Sequence, residues 1–200
     1  MLTYIIIGIT VIISFLCFNN HDLFMKLAFI PYRTIKCKEW YRIVSHGFVH
    51  ADIMHLVVNM FTFWSFGLYI EKIFQYLGFG LGSYIALYFG GMIAASLHDL
   101  IKQRKDPSFV SIGASGAVSA VLFSFIFFEP WGKILLFAVI PIPGIVFGIL
   151  YLAYCQYMGK KAGDNINHNA HFYGAIYGFI FPILLHPSLI HIFLKQIMDF

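Results

Sequence analysis

Charge is what this sequence has least of. Asp, Glu, Lys and Arg make up 11% of its 200 residues, where a soluble domain carries about 25%. Hydrophobic residues make up 60%, and the mean hydropathy is +0.81. Because the apolar residues run along the whole chain, both a soluble domain and a single anchor carrying a soluble head are excluded. Cysteine is also scarce. Cys17, Cys37 and Cys155 lie far apart, odd in number and with no Cys-x-x-Cys, which suggests neither a disulfide framework nor a thiolate metal site. The 13 basic residues are scattered over several loops for a net charge of +4, so no concentrated patch exists for nucleic acid. The stretch from Met1 to Ile7 has no basic n-region and no small-residue cleavage motif near its end. It reads as a first membrane helix and not as a removed leader.

Long apolar runs fill the chain instead. Six helices of ~20 residues would occupy about 120 positions and leave only short loops. The reading is an all-α membrane protein, a compact bundle of six transmembrane helices in one domain, 1–200. The spans fall at about 2–18, 53–70, 79–97, 112–128, 143–158 and 169–185. Asn19-Asn20, Glu71-Lys72, Glu129-Pro130 and His186-Pro187 mark ends of the first, second, fourth and sixth. Pro141 and Pro143 break any helix near the apolar run 134–140, so an extended or re-entrant segment is expected before the fifth helix. Residues 20–49 mix Leu23, Phe24, Leu27, Phe29 and Ile30 with Lys26, Arg33, Lys36, Lys38 and Arg42. That mixture predicts an interfacial loop after the first helix, its apolar side toward the acyl chains and its cations among headgroups.

Polar residues at membrane depth are expensive, so each is a functional candidate. His55 and Asn59 share one face of the second span, four residues apart. Ser115 stands in Gly113-Ala114-Ser115-Gly116, at the start of the fourth. His171 stands at the start of the sixth, with Gly174 and Gly178 following on nearly the same face. Singly, such residues serve as interhelical hydrogen bonds or close-packing positions. Together they suggest more. The thin face after His171 can press on Gly113, Gly116, Ala117 and Ala120, bringing His171 within hydrogen-bond reach of Ser115. Ser115 near a helix N-terminus has free N–H groups and the positive dipole end beside it, and His55 and Asn59 can complete an oxyanion hole. The combination reads as acyl transfer in the membrane.

These residues resemble the rhomboid family of intramembrane serine proteases, and the resemblance covers nearly the whole chain. It includes the order of six spans, the interfacial loop with Glu39-Trp40-Tyr41-Arg42, and His50-(x)4-His55-(x)3-Asn59. Gly67-x-x-x-Glu71, Gly113-Ala114-Ser115-Gly116 and Ala170-His171-x-x-Gly174-x-x-x-Gly178 complete it. The resemblance implies a Ser–His dyad without a third acid: Ser115 as nucleophile and His171 as general base. It also implies an oxyanion hole from His55, Asn59 and the Ser115 backbone N–H. His50 resembles a position that braces the interfacial loop; His46 has no assigned role. Asp164, seven residues before His171, is the only acid near it in sequence. In some members an aromatic one turn after the serine lies under the histidine. Here that position is Ser119, and Tyr173 and Tyr177 are the candidates to replace it.

The expected activity is hydrolysis of a peptide bond in or near the membrane segment of another protein, in a lipid bilayer, with no cofactor and no metal. The alternative is a catalytically inactive rhomboid-like protein that binds membrane helices. Such members usually lack the serine or the histidine, and this chain keeps both. A metal protease using His50, His55 and His171 lacks His-Glu-x-x-His, and a transporter lacks paired broken helices. Orientation sets two arguments against each other. Loops at about 19–52, 98–111 and 159–168 carry ten of the 13 basic residues, which by plain counting puts them in the cytoplasm. Resemblance to bacterial rhomboids implies the reverse, with the termini inside and the site opening outward. Five of the ten belong to the interfacial loop, where headgroups can hold them. The rest, five against Lys72, Lys133 and Lys195, are too few to overrule the family. The expectation is a multi-pass protein of a bacterial cytoplasmic membrane with an outward-facing site.

Overall fold

The computed structural model describes residues 1–136, 139–161 and 164–198. Residues 137–138 of the expected apolar run and 162–163 of the fifth loop lie outside them. The chain is mostly helical. Helix α1 (Leu2–Phe18) is followed by three short helices, α2 (His21–Leu27), α3 (Pro31–Lys36) and α4 (Arg42–Ser45), and a 3-10 turn over His46–Phe48. Then come α5 (Ile53–Tyr76), α6 (Gly80–Lys102) and α7 (Ser115–Phe128). Strands β1 (Lys133–Leu136) and β2 (Ile140–Pro143) pair antiparallel, Lys133 opposite Pro143, and α8 (Gly144–Lys161), α9 (His168–Leu185) and α10 (Leu189–Met198) complete the chain. The extended segment expected before the fifth helix is therefore a hairpin in its described residues.

Among the described residues two helices, α5 and α6, are long and apolar enough to cross a membrane, and α9 with α10 makes a third if that pair, bent by 116°, is one span. Helices α1 and α7 are apolar but shorter. Helix α7 starts at Ser115 and not at the expected 112, and α8 runs to Lys161, past the expected 158; the two larger differences lie where polar residues are satisfied inside the fold. Helix α5 continues past the expected end at 70 because Glu71 is buried and fully paired. Its carboxylate accepts the Leu2 N–H at 2.6 Å, the Thr3 N–H at 3.1 Å and the Thr3 hydroxyl at 2.7 Å. It thus serves two of the N–H groups that the first turn of α1 leaves without helical partners, and it sits at the positive end of that helix. Gly67, one turn earlier, admits Tyr84, whose hydroxyl would stand 2.7 Å from any Cβ there and which hydrogen-bonds Thr3. Helix α6 runs on to Lys102 through a buried Asp99, beyond the expected end at 97. Helix α10 was not expected. His186-Pro187 stops α9, but the chain re-forms a helix two residues later and packs Phe193 on Phe127 and Phe179.

Residues 20–49, the expected interfacial loop, form a folded cap of three short helices and a 3-10 turn. Arg42 is 1% exposed and organises it, donating to Glu39 at 2.5 Å and to the carbonyls of Met25 and Ala28 at 2.7 and 2.6 Å. Arg33 reaches the same Glu39 carboxylate, and the two guanidinium groups hold that carboxyl below its ordinary pKa, Arg33 through its hydrogen bond most of all.

Helix α7 is the centre of the molecule. Of its 14 residues, all but Ser115 and Phe125 are buried, because α5, α6 and α9 pack around it. At 1.5 Å per residue α7 is about 21 Å long, against about 36 Å for α5. The segment before it accordingly descends into the bundle. Ser111 and Phe29 exchange both backbone hydrogen bonds, the Gly113 N–H donates to the His46 carbonyl, and the Ala114 N–H to His50 Nε2.

Candidate active site

The N-terminal ends of α5, α7 and α9 lie together under the cap, and each carries one of the polar residues at issue. Helix α5 starts at an Asp52 cap whose carboxylate accepts the His55 N–H at 2.7 Å. His55 then lies over Gly113, which has φ +105° and would set a Cβ 2.8 Å from the imidazole. Both the left-handed conformation and the ring above it require glycine at this position. Two residues later α7 begins at Ser115, half-buried, with no side-chain cap. The first N–H groups of α7 therefore have no partner one turn back.

Helix α9 starts at Asn167. Its side-chain oxygen caps the Ala170 N–H at 3.0 Å, while its Nδ2 donates to Asp99 at 2.5 Å and Ser111 at 3.0 Å. This one side chain ties α9 to the end of α6 and to the strand-like lead into α7. From there α9 lies directly on α7. A Cβ on Gly174 would overlap the Gly116 carbonyl oxygen, one on Gly178 the Ala120 carbonyl oxygen, and one on Gly116 the Ala95 methyl. The expected thin-face packing is present, and it sets the backbone flanking His171 against the backbone flanking Ser115.

The side chains do not all meet as expected. Among the described residues no hydrogen bond joins the Ser115 hydroxyl to His171. The His171 ring instead lies nearly parallel to Tyr151 of α8, at 9° with centroids 6.3 Å apart, within the range of aromatic pairs. The Tyr151 hydroxyl is 2.8 Å from Ser119 Oγ. An aromatic ring from α8 thus lies beside His171, and its hydroxyl is tied to Ser119 of α7. Tyr173 and Tyr177 do not do this. Tyr173 stacks on His98, and Tyr177 donates to the Ala86 carbonyl and covers Gly90. Asn59 is buried on the His55 side of α5 and donates one Nδ2 hydrogen to the His55 carbonyl at 2.9 Å, keeping its second.

The remaining histidines divide by role. His50 is fully buried, 2.9 Å from Ser14 Oγ through Nδ1 and accepting from Ala114 through Nε2, with its ring edge-on to His55. It joins α1 to the lead into α7. Burial, then the neighbouring His55, lowers its pKa to about 3. His46 has Nδ1 2.9 Å from the Arg42 carbonyl, and burial lowers its pKa to about 4. Asp164 pairs with His168 through both carboxylate oxygens, at 3.0 and 3.1 Å, and not with His171. His168, Cys155 and His171 each offer a ligand atom, all within 4.8 Å of one another, so a group with metal-ligand chemistry includes the candidate base.

Asn167, Tyr151 and His168 did not emerge from the sequence reading. Asn167 had a legible signal, a capping residue just before an apolar run. Tyr151 and His168 had none, since only the fold turns them toward His171.

Comparison with known proteins identifies relatives of this arrangement. A Rhomboid domain family model matches residues 37–194. RHOMBOID-like protein 12, mitochondrial, of Arabidopsis thaliana is 28% identical over 171 residues, 78% of this chain and 49% of that protein. Rhomboid protein 1, mitochondrial, of Saccharomyces cerevisiae is 36% identical over 105 residues, 51% of this chain and 29% of its own length. Rhomboid protease GluP of Bacillus subtilis is 24% identical over 182 residues, 88% of this chain and 33% of that protein. The chain spans half or less of the length of each. Two of the three carry mitochondrial names, which lends no support to the expected bacterial cytoplasmic membrane.

Proposed function

The chain belongs to the rhomboid family, and from that premise we propose that it is an intramembrane serine endopeptidase built as six transmembrane helices, α1, α5, α6, α7, α8 and α9. Ser115 is the nucleophile and His171 the general base. His55, Asn59 and the Ser115 backbone N–H receive the oxyanion. The observation that carries this reading is the glycine-mediated contact of α7 with α9, which sets Ser115 and His171 on adjoining backbone at one end of the bundle, with His55 beside them over Gly113.

In the proposed reaction a substrate helix unwinds locally, since an intact helix shields its carbonyls. Ser115 Oγ attacks the exposed carbonyl carbon as His171 takes the hydroxyl proton. The tetrahedral oxyanion is held by N–H groups at the α7 N-terminus and by the two α5 side chains. His171 then delivers its proton to the departing amine, and a water, deprotonated by the same ring, releases the acyl group from Ser115. The dyad hydrogen bond tightens when substrate excludes water, as catalytic hydrogen bonds in empty sites commonly do. Tyr151 keeps the His171 ring in plane in the meantime.

The test is fluorophosphonate labelling together with cleavage of a model transmembrane protein by purified chain. Wild type is expected to be labelled at Ser115 and to cleave. Ser115→Ala and His171→Ala are expected to fold and to do neither. Cleavage by purified Ser115→Ala refutes the assignment. A folded wild type that neither labels nor cleaves any tested substrate favours the inactive, helix-binding alternative.

A further inference from the structure

Where α8 meets the start of α9, a sulfur and two imidazoles converge on one point. Cys155 is 1% exposed, His168 is 4% exposed, and His171 completes the group, every ligand atom within 4.8 Å of the other two. Thiolate and imidazole are the donors zinc prefers.

His168 is already set as a ligand. Its Nε2 faces both oxygens of Asp164, so that nitrogen carries the hydrogen and the carboxylate accepts it. Nδ1 is then the lone-pair nitrogen, and it is buried with no partner among the described residues. An acceptor left unpaired in the interior costs about 1–3 kcal/mol. A carboxylate behind one ring nitrogen with the other free is the arrangement that orients metal-binding histidines.

We propose that Cys155, His168 and His171 bind a zinc ion, and that the ion holds the protein inactive by taking the lone pair of His171. Donor atoms around tetrahedral zinc stand about 3.3–3.6 Å apart, so these three close by little more than an ångström, a motion within side-chain rotation. The Cys155 thiolate and the Asp164 carboxylate together balance the two positive charges, which a site at this depth requires. Water fills the fourth position. The ion enters from the loop side, where Asp164 keeps 31% of its side chain exposed. Since Cys155 must lose its proton, binding strengthens as pH rises. Metal binding stands on this cluster alone; the inhibition rests on the proposed role of His171 as base.

The experiment uses the full chain purified in detergent with Cys17→Ser and Cys37→Ser, so that Cys155 is the only thiol. Cobalt(II) is the probe, because a cobalt–thiolate bond gives a charge-transfer band. One cobalt per chain is expected, displaced by Zn²⁺, with the band lost in Cys155→Ala and affinity reduced about 10–100-fold in Asp164→Asn. Asp164 is mostly outside the packed interior, so this variant serves even if Cys155→Ala fails to fold. No stoichiometric cobalt, or an unchanged band in Cys155→Ala, overturns the site. In the cleavage assay Zn²⁺ is expected to stop wild type, EDTA to restore it, and Cys155→Ala to keep cleaving at the same zinc concentration. One ion bound through Cys155 with cleavage undiminished overturns the inhibition. If metal-free wild type cleaves nothing, the protease reading fails, and the cobalt titration still decides the metal site.

Discussion

Gly174→Ala isolates the contact on which the proposed site depends. The new Cβ would overlap the Gly116 carbonyl oxygen and stand 2.9 Å from the carbonyl carbon, where ordinary contact begins near 3.4 Å. Backbone cannot rotate aside as a side chain does, so α9 must back away from α7 by at least about 0.5 Å, the difference of those two distances, and further to clear the oxygen. Overpacking of this kind costs about 1–3 kcal/mol, and a displacement approaching 1 Å between reacting groups costs on the order of 10²-fold in rate. Gly174→Ala is therefore expected to melt earlier yet remain folded at assay temperature, with turnover of a transmembrane substrate down about 10²-fold. Gly8→Ala is the control, because nothing lies within 4 Å of a Cβ there; it should keep full activity and gain slightly in stability. Gly178→Ala, one turn further from His171, should cost similar stability but less activity. Wild-type turnover in a folded Gly174→Ala would show that this contact does not set the distance between Ser115 and His171.

Three further outcomes are expected. Tyr151→Ala should lower kcat up to about tenfold with KM little changed, the worth of one aromatic pair, and Tyr151→Phe, which keeps the ring, should recover most of that; equal loss in both would make the Ser119 hydrogen bond, and not the ring, the support. Asn59→Ala should slow turnover by roughly 10–100-fold, less than removal of a sole oxyanion donor because in the proposed site His55 and a backbone N–H share the charge; a loss confined to substrate binding would make Asn59 a packing residue. A cysteine at Lys105, in a background lacking the three native ones, should react with an impermeant maleimide in intact cells if the Ser115 end faces outward, and reaction only after permeabilisation would reverse that orientation.

The apolar runs located the long helices well because hydropathy reports burial and lipid exposure directly. Two helices run furthest past their apolar runs, and in both a charge is paired inside the fold. Glu71 looked like the end of the second span, yet α5 carries it inward because α1 supplies its donors, and Asp99 looked like loop because Asn167 is 68 residues away in sequence. The glycine pattern after His171 was readable, since only a close approach of backbones requires it. What completes the arrangement was not readable, because Tyr151 and His168 acquire meaning only from their neighbours in space. Residues 20–49 mixed apolar and basic types without a period, and their folding turns on one buried arginine that composition cannot distinguish from its exposed neighbours.

The shortness of α7 makes this helix a depth gauge. Its length of about 21 Å falls short of a hydrocarbon core of about 30 Å. In the proposed six-span reading, with the Phe128 end of α7 level with one edge of that core, Ser115 would sit about 9 Å below the other, the difference of those lengths. A substrate helix rises about 1.5 Å per residue, so the proposed nucleophile at that level would meet the bond about six residues inside the substrate's span. On the proposed reading a thicker bilayer would carry the cut deeper and a thinner one would bring it toward the surface, so the lipid itself would select which peptide bond is presented.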